Sequence, residues 1–356
     1  MTLSSANRVG ILVAVRMKSA RLSNKAMGEI EGKPLILHLI ERMKRVAKCD
    51  GIVLCTSIHP DDRILLDIAD KAGILKFAGD EVDVMKRFID AAEQYNFDTI
   101  VRVTGDNPLT DPENIDRLIE TCLTGKFDFV KSEYLPLGVN AEVVTLATLK
   151  KAHAMAVDTS LTEYMTSYLK QPEIFKIHTL QSEDPFFKNR SKIRLTVDFK
   201  EDLEVMRSIY GHLYSADPAF TTREVLKYLD DNPTILDMNA NMLEIPLPKI
   251  RFKGQKEYAK KLVAVIEDLD KDAAIISEAV HGAQEFELTG FIDHGNDFQY
   301  TLLDGVPIIG ETSSLKSLSI DAQYFVTKLQ DSEIRNEIAE DLTTCGLVEI
   351  ELFEDN

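Results

Sequence analysis

Apolar residues along this chain gather in short unbroken runs separated by longer amphipathic stretches. Val9 to Val15 is one such run and predicts a buried first strand, since a strand covered on both faces loses the usual apolar–polar alternation. Gly51 to Ser57 repeats the pattern and predicts a second strand. The stretch from Asp61 to Gly73 then predicts a helix, opening on acidic Asp61 and Asp62 and closing at a glycine. Asp83 to Tyr95 predicts another, with Val84, Phe88, Ala91, Ala92 and Tyr95 on one side. A strand over Thr99 to Val103, a helix over Asp111 to Thr124 and a strand over Asp128 to Lys131 follow. This alternation implies an α/β fold with a mostly parallel, Rossmann-like sheet covered by helices on both faces. Ile193 to Val197, alternating and rich in β-branched residues, predicts a further strand that ends at Asp198, with a helix from near Glu201.

Beyond Asn241 the character changes. Glu244 to Pro248 carries two prolines and reads as a stiff linker. A second βα pattern starts at Lys249: a strand over Ile250 to Phe252, a helix over Gln255 to Asp268 and a strand over Ala273 to Ser277. The expectation is two domains, 1–243 and a smaller α/β domain over 249–356, which suits a chain of 356 residues.

The net charge of −18 argues against general nucleic-acid binding or attachment to an anionic membrane. Cys49, Cys55, Cys122 and Cys345 lack the paired spacing of a zinc or redox site. No run approaches transmembrane length, and Met1 to Arg8 lacks the apolar core of a signal peptide. A cytoplasmic protein without membrane insertion is the expectation.

Against that acidic background, the first strand empties into a loop carrying Arg16, Lys18, Arg21 and Lys25. Ligands of open α/β sheets bind beyond the carboxyl ends of the strands. Guanidinium and ammonium groups concentrated there suit a triphosphate, although a solvated basic loop would show the same residues. Asp106 and Asp198 each follow a predicted strand and should face the same crevice. Either is open to being a turn or capping residue. Together they suit Mg²⁺, which takes one or two carboxylates and fills its remaining positions with phosphate oxygens and water.

The segments Ala14-Val15-Arg16-Met17-Lys18-Ser19-Ala20-Arg21-Leu22-Ser23-Asn24-Lys25, Gly32-Lys33-Pro34-Leu35, Val101 to Leu109 and Thr196-Val197-Asp198 together resemble the spore-coat-polysaccharide type cytidylyltransferases. These are relatives of enzymes that activate acidic sugars as CMP derivatives. The resemblance covers roughly the first 240 residues, about one large domain. It implies a nucleotide-diphospho-sugar transferase type of fold, CTP and a sugar or sugar acid as substrates, and pyrophosphate as the leaving group. It implies Arg16, Arg21 and Lys25 as the catalytic cations and Asp106 and Asp198 as metal ligands. Ala14, Val15, Ser19, Arg102, Thr104, Gly105, Glu142 and Glu163 would bind substrate. Ser23 stands where the family commonly has Pro, Lys18 where it has Gly, and neither change removes a charge.

The acceptor side is read from less. Glu142 suits a hydrogen bond to sugar hydroxyls, or is a solvated strand-edge carboxylate. Arg102 and Arg194 suit an acceptor carboxylate, or are internal ion pairs. Tyr164 and Ser167 replace a His and a Pro of the family segment, so acceptor specificity is expected to differ. In the last 105 residues or so, a small-domain length, Gly290-Phe291-Ile292-Asp293 and Gly305-Val306-Pro307-Ile308-Ile309-Gly310 resemble the nucleotide-sugar-binding N-terminal domain of bacterial sugar acyltransferases. The loop Lys253-Gly254-Gln255-Lys256-Glu257 has only one of the glycines such a domain uses for phosphate. An accessory role is implied there, dimerisation included. Two rival classes stay open at this level: a metal-dependent glycosyltransferase of similar fold, although Gly105-Asp106-Asn107 lacks the second carboxylate of its usual Asp-x-Asp, and a catalytically silent nucleotide- or sugar-binding protein.

Overall fold

A computed structural model describes residues 7–18, 22, 24–242, 250–253, 260–266, 272, 275–280, 286–294, 302–303, 306–317, 320, 322–329 and 331–350. The chain divides into two compact units, Met1–Lys253 and Gly254–Asn356.

In the first unit the strands are β1 (Val9–Ala14), β2 (Glu29–Ile30), β3 (Lys33–Pro34), β4 (Gly51–Ser57), β5 (Leu75–Gly79), β6 (Thr99–Thr104), β7 (Phe129–Ser132), β8 (Glu142–Thr145) and β9 (Ile177–Leu180). Seven of them form one sheet in the order β5-β4-β1-β6-β8-β7-β9. All neighbours run parallel except β8, which is antiparallel to both β6 and β7. The short β2–β3 hairpin turns on Glu31 and Gly32, both at positive φ. β1 is an interior strand, flanked by β4 and β6. Ile11 and Val13 face the core under the helices Leu35–Met43, Arg63–Ala72 and Pro112–Gly125, while Leu12 faces the opposite core with Phe88, Phe97 and Met165. Burial on both faces is why this strand reads as a continuous apolar run.

The helices start where the sequence supplies caps. Asp83 and Asp111 each accept a hydrogen bond from a backbone N–H of the first turn, and Gly73 closes Arg63–Ala72 at φ 65°. A third core, holding Leu195, Val197, Met206, Ile209, Tyr210 and Val225, packs the helices Lys200–Leu213 and Thr222–Asp231 beside the loop that follows β6.

The segment Ile193 to Val197 is not a strand of the sheet. Its alternation is real, with Leu195 and Val197 fully buried. Its backbone, however, bonds to residues outside the named strands: Leu195 N–H donates to Leu137 (2.8 Å), Leu137 N–H to Ile193 (2.9 Å), Val197 N–H to the Asp106 carbonyl (3.0 Å) and Ile193 N–H to Arg190 (3.0 Å). Period-two patterning shows that one side is buried but not that a partner strand exists.

The second unit holds β10 (Lys260–Ile266), β11 (Phe286–Asp293), β12 (Leu302–Leu303), β13 (Val306–Glu311), β14 (Tyr324–Lys328) and β15 (Val348–Glu349). Its sheet runs β12-β13-β11-β10-β14-β15 and is parallel apart from β12. Phe291 pairs with Ile308 and Ile292 with Gly310, so the two motifs of the C-terminal resemblance lie side by side. The single-glycine loop, from Gly254 onward, and Gly305 fall outside the described residues.

Three expectations here are corrected. The helix over Gln255 to Asp268 is instead the strand Lys260–Ile266, because Leu262 to Ile266 are all fully buried and three of these five are β-branched. The strand over Ala273 to Ser277 is instead helical at 275–280, where Ile276 and Val280 are buried at i, i+4 spacing. Ile250 to Phe252 forms only an isolated bridge from Phe252 to Ala156. Phe252 packs edge-on against Tyr168 and belongs to the first unit, so the division falls after Lys253.

Candidate active site

β1 and β6 remain bonded one residue beyond their ladder, where Gly105 N–H donates to Ala14 O at 2.8 Å. A side chain at Gly105 would put its Cβ 2.6 Å from that of Val15, so only glycine lets the two strand exits approach this closely. Asp106 comes next and is thereby set at the mouth between the strands. The cation loop is closed at its base by Asn24 N–H donating to Met17 O (3.1 Å). Asn24 takes the left-handed conformation, φ 58°, and Lys25 opens a single 3₁₀ turn to Met27. Ser19 and Arg21 lie outside the described residues.

Lys25 is turned inward. Its Nζ donates to Asp106 Oδ2 at 2.6 Å and to Asp198 Oδ1 at 2.9 Å, and the three side chains are only 15, 21 and 13% exposed. Burial alone would lower the ammonium's pKa. The charges of Asp106 and then Asp198, with their hydrogen bonds, outweigh it and hold the lysine above its ordinary value. Burial likewise pushes the Asp106 carboxyl up, but Lys25 and a bond from Thr104 bring it net below the usual carboxylate value.

Asp198 is held from behind. Arg194 Nη2 reaches its Oδ2 at 3.2 Å and binds Asp202 through Nε (2.9 Å) and Nη2 (3.0 Å). Asp202 is fully buried and also accepts from the backbone N–H of Asp198 and Phe199, each at 2.9 Å. It serves the N-terminus of helix Lys200–Leu213, which leaves Asp198 to face Lys25. Of the two readings left open for Arg194, the internal ion pair is the observed one.

A cavity of about 400 Å³ opens beside this cluster. It gathers Ala14, Val15, Arg16, Lys25, Arg102, Thr104, Gly105, Asp106 and Glu163 of the expected residues. Its wall also includes Lys18, one of the loop's four cations, Tyr164, singled out as replacing a family His, and Val84 and Arg87, which sequence reasoning missed. Glu142 and Asp198 do not line it. Glu142 is no edge carboxylate, since β8 has a neighbour on each side. It faces Arg102 across the strand register, accepts from Arg102 Nη1 at 3.0 Å and takes the Thr166 hydroxyl. The loop's cations are also less unmatched than their clustering suggests: Arg16 pairs with Glu163 at 3.0 Å, at a half-exposed position.

Two supports had no legible signal. Arg87 is 1% exposed and spends its guanidinium on the carbonyls of Asp80 and Glu81, bracing the wall. Asp62 is 2% exposed. Instead of capping its own helix, its carboxylate turns back to accept from Met17 N–H (2.7 Å) and Ser57 N–H (3.2 Å), tying the start of the cation loop to the end of β4. Among the described residues no group of three or more His, Cys, Asp or Glu side chains could hold a metal ion, and no helix is long and apolar enough to cross a membrane.

A family model described as cytidylyltransferase matches residues 10–226. An uncharacterized protein of Methanocaldococcus jannaschii is 35% identical over 237 residues, 66% of this chain and 95% of its own. The spore coat polysaccharide biosynthesis protein SpsF of Bacillus subtilis is 29% identical over 233 residues, 64% of this chain and 96% of its own. Among solved structures, a cytidylyltransferase from Leptospira borgpetersenii matches with a TM-score of 0.61 at 29% identity, covering 67% of this chain and 99% of that one.

Proposed function

The chain belongs to the cytidylyltransferase family, and from that premise we propose that its first unit couples CTP to a sugar or sugar-acid acceptor, as a step toward a surface polysaccharide or glycan. Family membership makes the protein a nucleotidyltransferase and favours that reading over the glycosyltransferase and silent-binder ones. The observation that carries the site assignment is the convergence of Asp106, Asp198 and Lys25 at the strand exits, beside a cavity of ligand size.

In this reading the acceptor oxygen attacks the α-phosphorus of CTP, and the bond to pyrophosphate breaks. The triphosphate meets Arg16, Lys18 and Lys25 in the cavity, with Arg21 assigned to it on the resemblance alone. There each phosphate contact is a charge-assisted hydrogen bond worth about 1.5–3 kcal/mol. Arg16 leaves its exposed partner Glu163 at little cost, because a surface ion pair contributes only about 0–1 kcal/mol. Ala14, Val15, Thr104 and Gly105 line the cavity where the nucleotide would lie, and Ser19 is assigned to substrate binding on the resemblance alone. Arg102, held by Glu142 and Thr166, presents its guanidinium to the acceptor side of the cavity, which Glu163 and Tyr164 also line. No covalent enzyme intermediate is called for.

Asp106 and Asp198 suit a divalent cation. They are two carboxylates already gathered about one positive charge, that of Lys25, and among the described residues no third His, Cys, Asp or Glu completes a metal-binding group with them. Mg²⁺ bound through one or two carboxylates and substrate phosphates uses this pattern. When bound, such an ion supplies charge neutralisation at the α-phosphate. The second unit we assign an accessory role, including pairing of two copies of the chain.

Pyrophosphate release, measured with CTP, GTP, UTP and ATP against a panel of sugars and sugar acids, tests the proposal. Release with CTP and at least one acceptor supports it. Release of nucleoside monophosphate or diphosphate in place of pyrophosphate overturns it.

A further inference from the structure

Of the loop's described cations, Lys25 alone is buried against two carboxylates. Its ammonium occupies the position between Asp106 and Asp198 where a divalent cation would serve the proposed reaction. The pair's other cation, Arg194, is not mobile in the same sense. It is bound twice to the fully buried Asp202 and cannot follow a ligand without stranding that carboxylate. The site therefore holds one fixed cation behind the carboxylates and one on a flexible stem in front. An arginine in front would lock onto the carboxylates as a planar fork, whereas an ammonium with rotatable donors exchanges partners readily.

We propose that Lys25 makes this carboxylate pair select the metal–nucleotide chelate over the free divalent cation. The inference rests on reading Asp106 and Asp198 as metal ligands. A free divalent ion would have to break both charge-assisted bonds of Lys25 and then leave the ammonium, 15% exposed, beside a doubly charged neighbour with no new anion to meet. A chelate brings its own anion. The β- and γ-phosphates receive the displaced ammonium as the carboxylates receive the metal, so both exchanges are compensated in one event. Lys25 thus serves twice, as internal counter-cation in the empty enzyme and as phosphate ligand in the loaded one.

The test is Mn²⁺ binding to the full chain without nucleotide, followed by the loss of the free-ion electron paramagnetic resonance signal. Lys25→Gln should bind Mn²⁺ at least about tenfold more tightly than wild type, the scale on which one neighbouring charge acts over a few ångströms. The double variant Lys25→Gln/Asp106→Asn should lose that gain. Lys25→Met repeats the experiment should the glutamine variant fold poorly, and wild type alone carries an independent arm. Mn²⁺ by itself should leave the wild-type melting temperature unchanged, and Mn²⁺ with CTP should raise it. Equal Mn²⁺ affinity in wild type and Lys25→Gln overturns the proposal, as does a wild-type melting temperature that rises as much with Mn²⁺ alone. If those results come with a further rise when CTP is added, the metal reading itself survives. If CTP with Mn²⁺ has no effect on wild type, the functional reading falls as well.

Discussion

Asp202 is the residue on which the carboxylate side of the site depends, although it touches no substrate in this account. It is fully buried and accepts five hydrogen bonds: two from Arg194, one each from the backbone N–H of Asp198 and Phe199, and one from Asn239 Nδ2 at 2.9 Å. Asp202→Ala leaves the Arg194 guanidinium, 12% exposed, without its main counter-charge and strands two backbone donors. Removing one partner of a buried pair costs about 3–5 kcal/mol. In a unit of this size each kcal/mol moves the melting temperature by about 2–4 °C, so a fall of roughly 6–20 °C is expected. Asp202→Asn keeps the shape and one acceptor oxygen and should fall between that variant and wild type. Urea titration read by hydrogen exchange in helix Lys200–Leu213 follows the first unit by itself. Turnover well below the melting temperature should also drop, because Asp198 loses its backbone anchor. A destabilisation under about 1 kcal/mol, with turnover unchanged, would refute the idea that Asp202 organises Asp198.

Other consequences are equally direct. Asp62→Ala should raise the dissociation constant for CTP by about tenfold or more, the worth of one hydrogen bond to a charged acceptor. The acceptor KM should stay put, and calorimetry with steady-state kinetics separates the two. Stability should have an acid limb. The carboxyls of Asp106 and Asp202 are both held below their ordinary 3.8, in each case against a burial effect that Lys25 or Arg194 outweighs. Their contribution is therefore fully present above the unfolded value and is lost progressively as pH falls from there through the lower folded value. Denaturation midpoints should decline below about pH 4 in wild type and decline less steeply in Asp202→Ala. Truncation after Lys253 should leave a folded fragment with nucleotidyl transfer activity. Truncation after Asn241 should be less stable, because it removes Phe252, which is 4% exposed against Tyr168. Equal stability of the two fragments, by thermal melt, would mean that Phe252 packs without consequence.

Much of this was legible in the sequence because the responsible interactions are local. The unbroken run at β1, the caps at Asp83 and Asp111 and the glycine at position 73 each act within a few residues, and the elements they specify begin and end within about two residues of where expected. Asp198 was found for a reason that was only half right. It does reach the mouth of β6, but through one backbone bond from Val197 to Asp106, with no strand of its own. What stayed hidden is long-range. Lys25 meets partners 81 and 173 residues away, and Asp62 reaches back 45 residues to Met17. No periodicity encodes such pairings. In the second unit the failure was local, since apolar runs at Leu262 to Ile266 and at 275–280 fit helix and strand alike until length and neighbours decide.

The central claim, that this cluster carries nucleotidyl transfer, is tested most directly by following the label of [α-³²P]CTP in wild type and Asp106→Asn, with an acceptor found in the pyrophosphate screen. The account predicts label in the acceptor product, unlabelled pyrophosphate, and a loss of about a hundredfold or more in turnover, near 2.7 kcal/mol of transition-state stabilisation, in a variant that still folds. Label leaving with the phosphate fragment, or Asp106→Asn turning over at the wild-type rate, would contradict it.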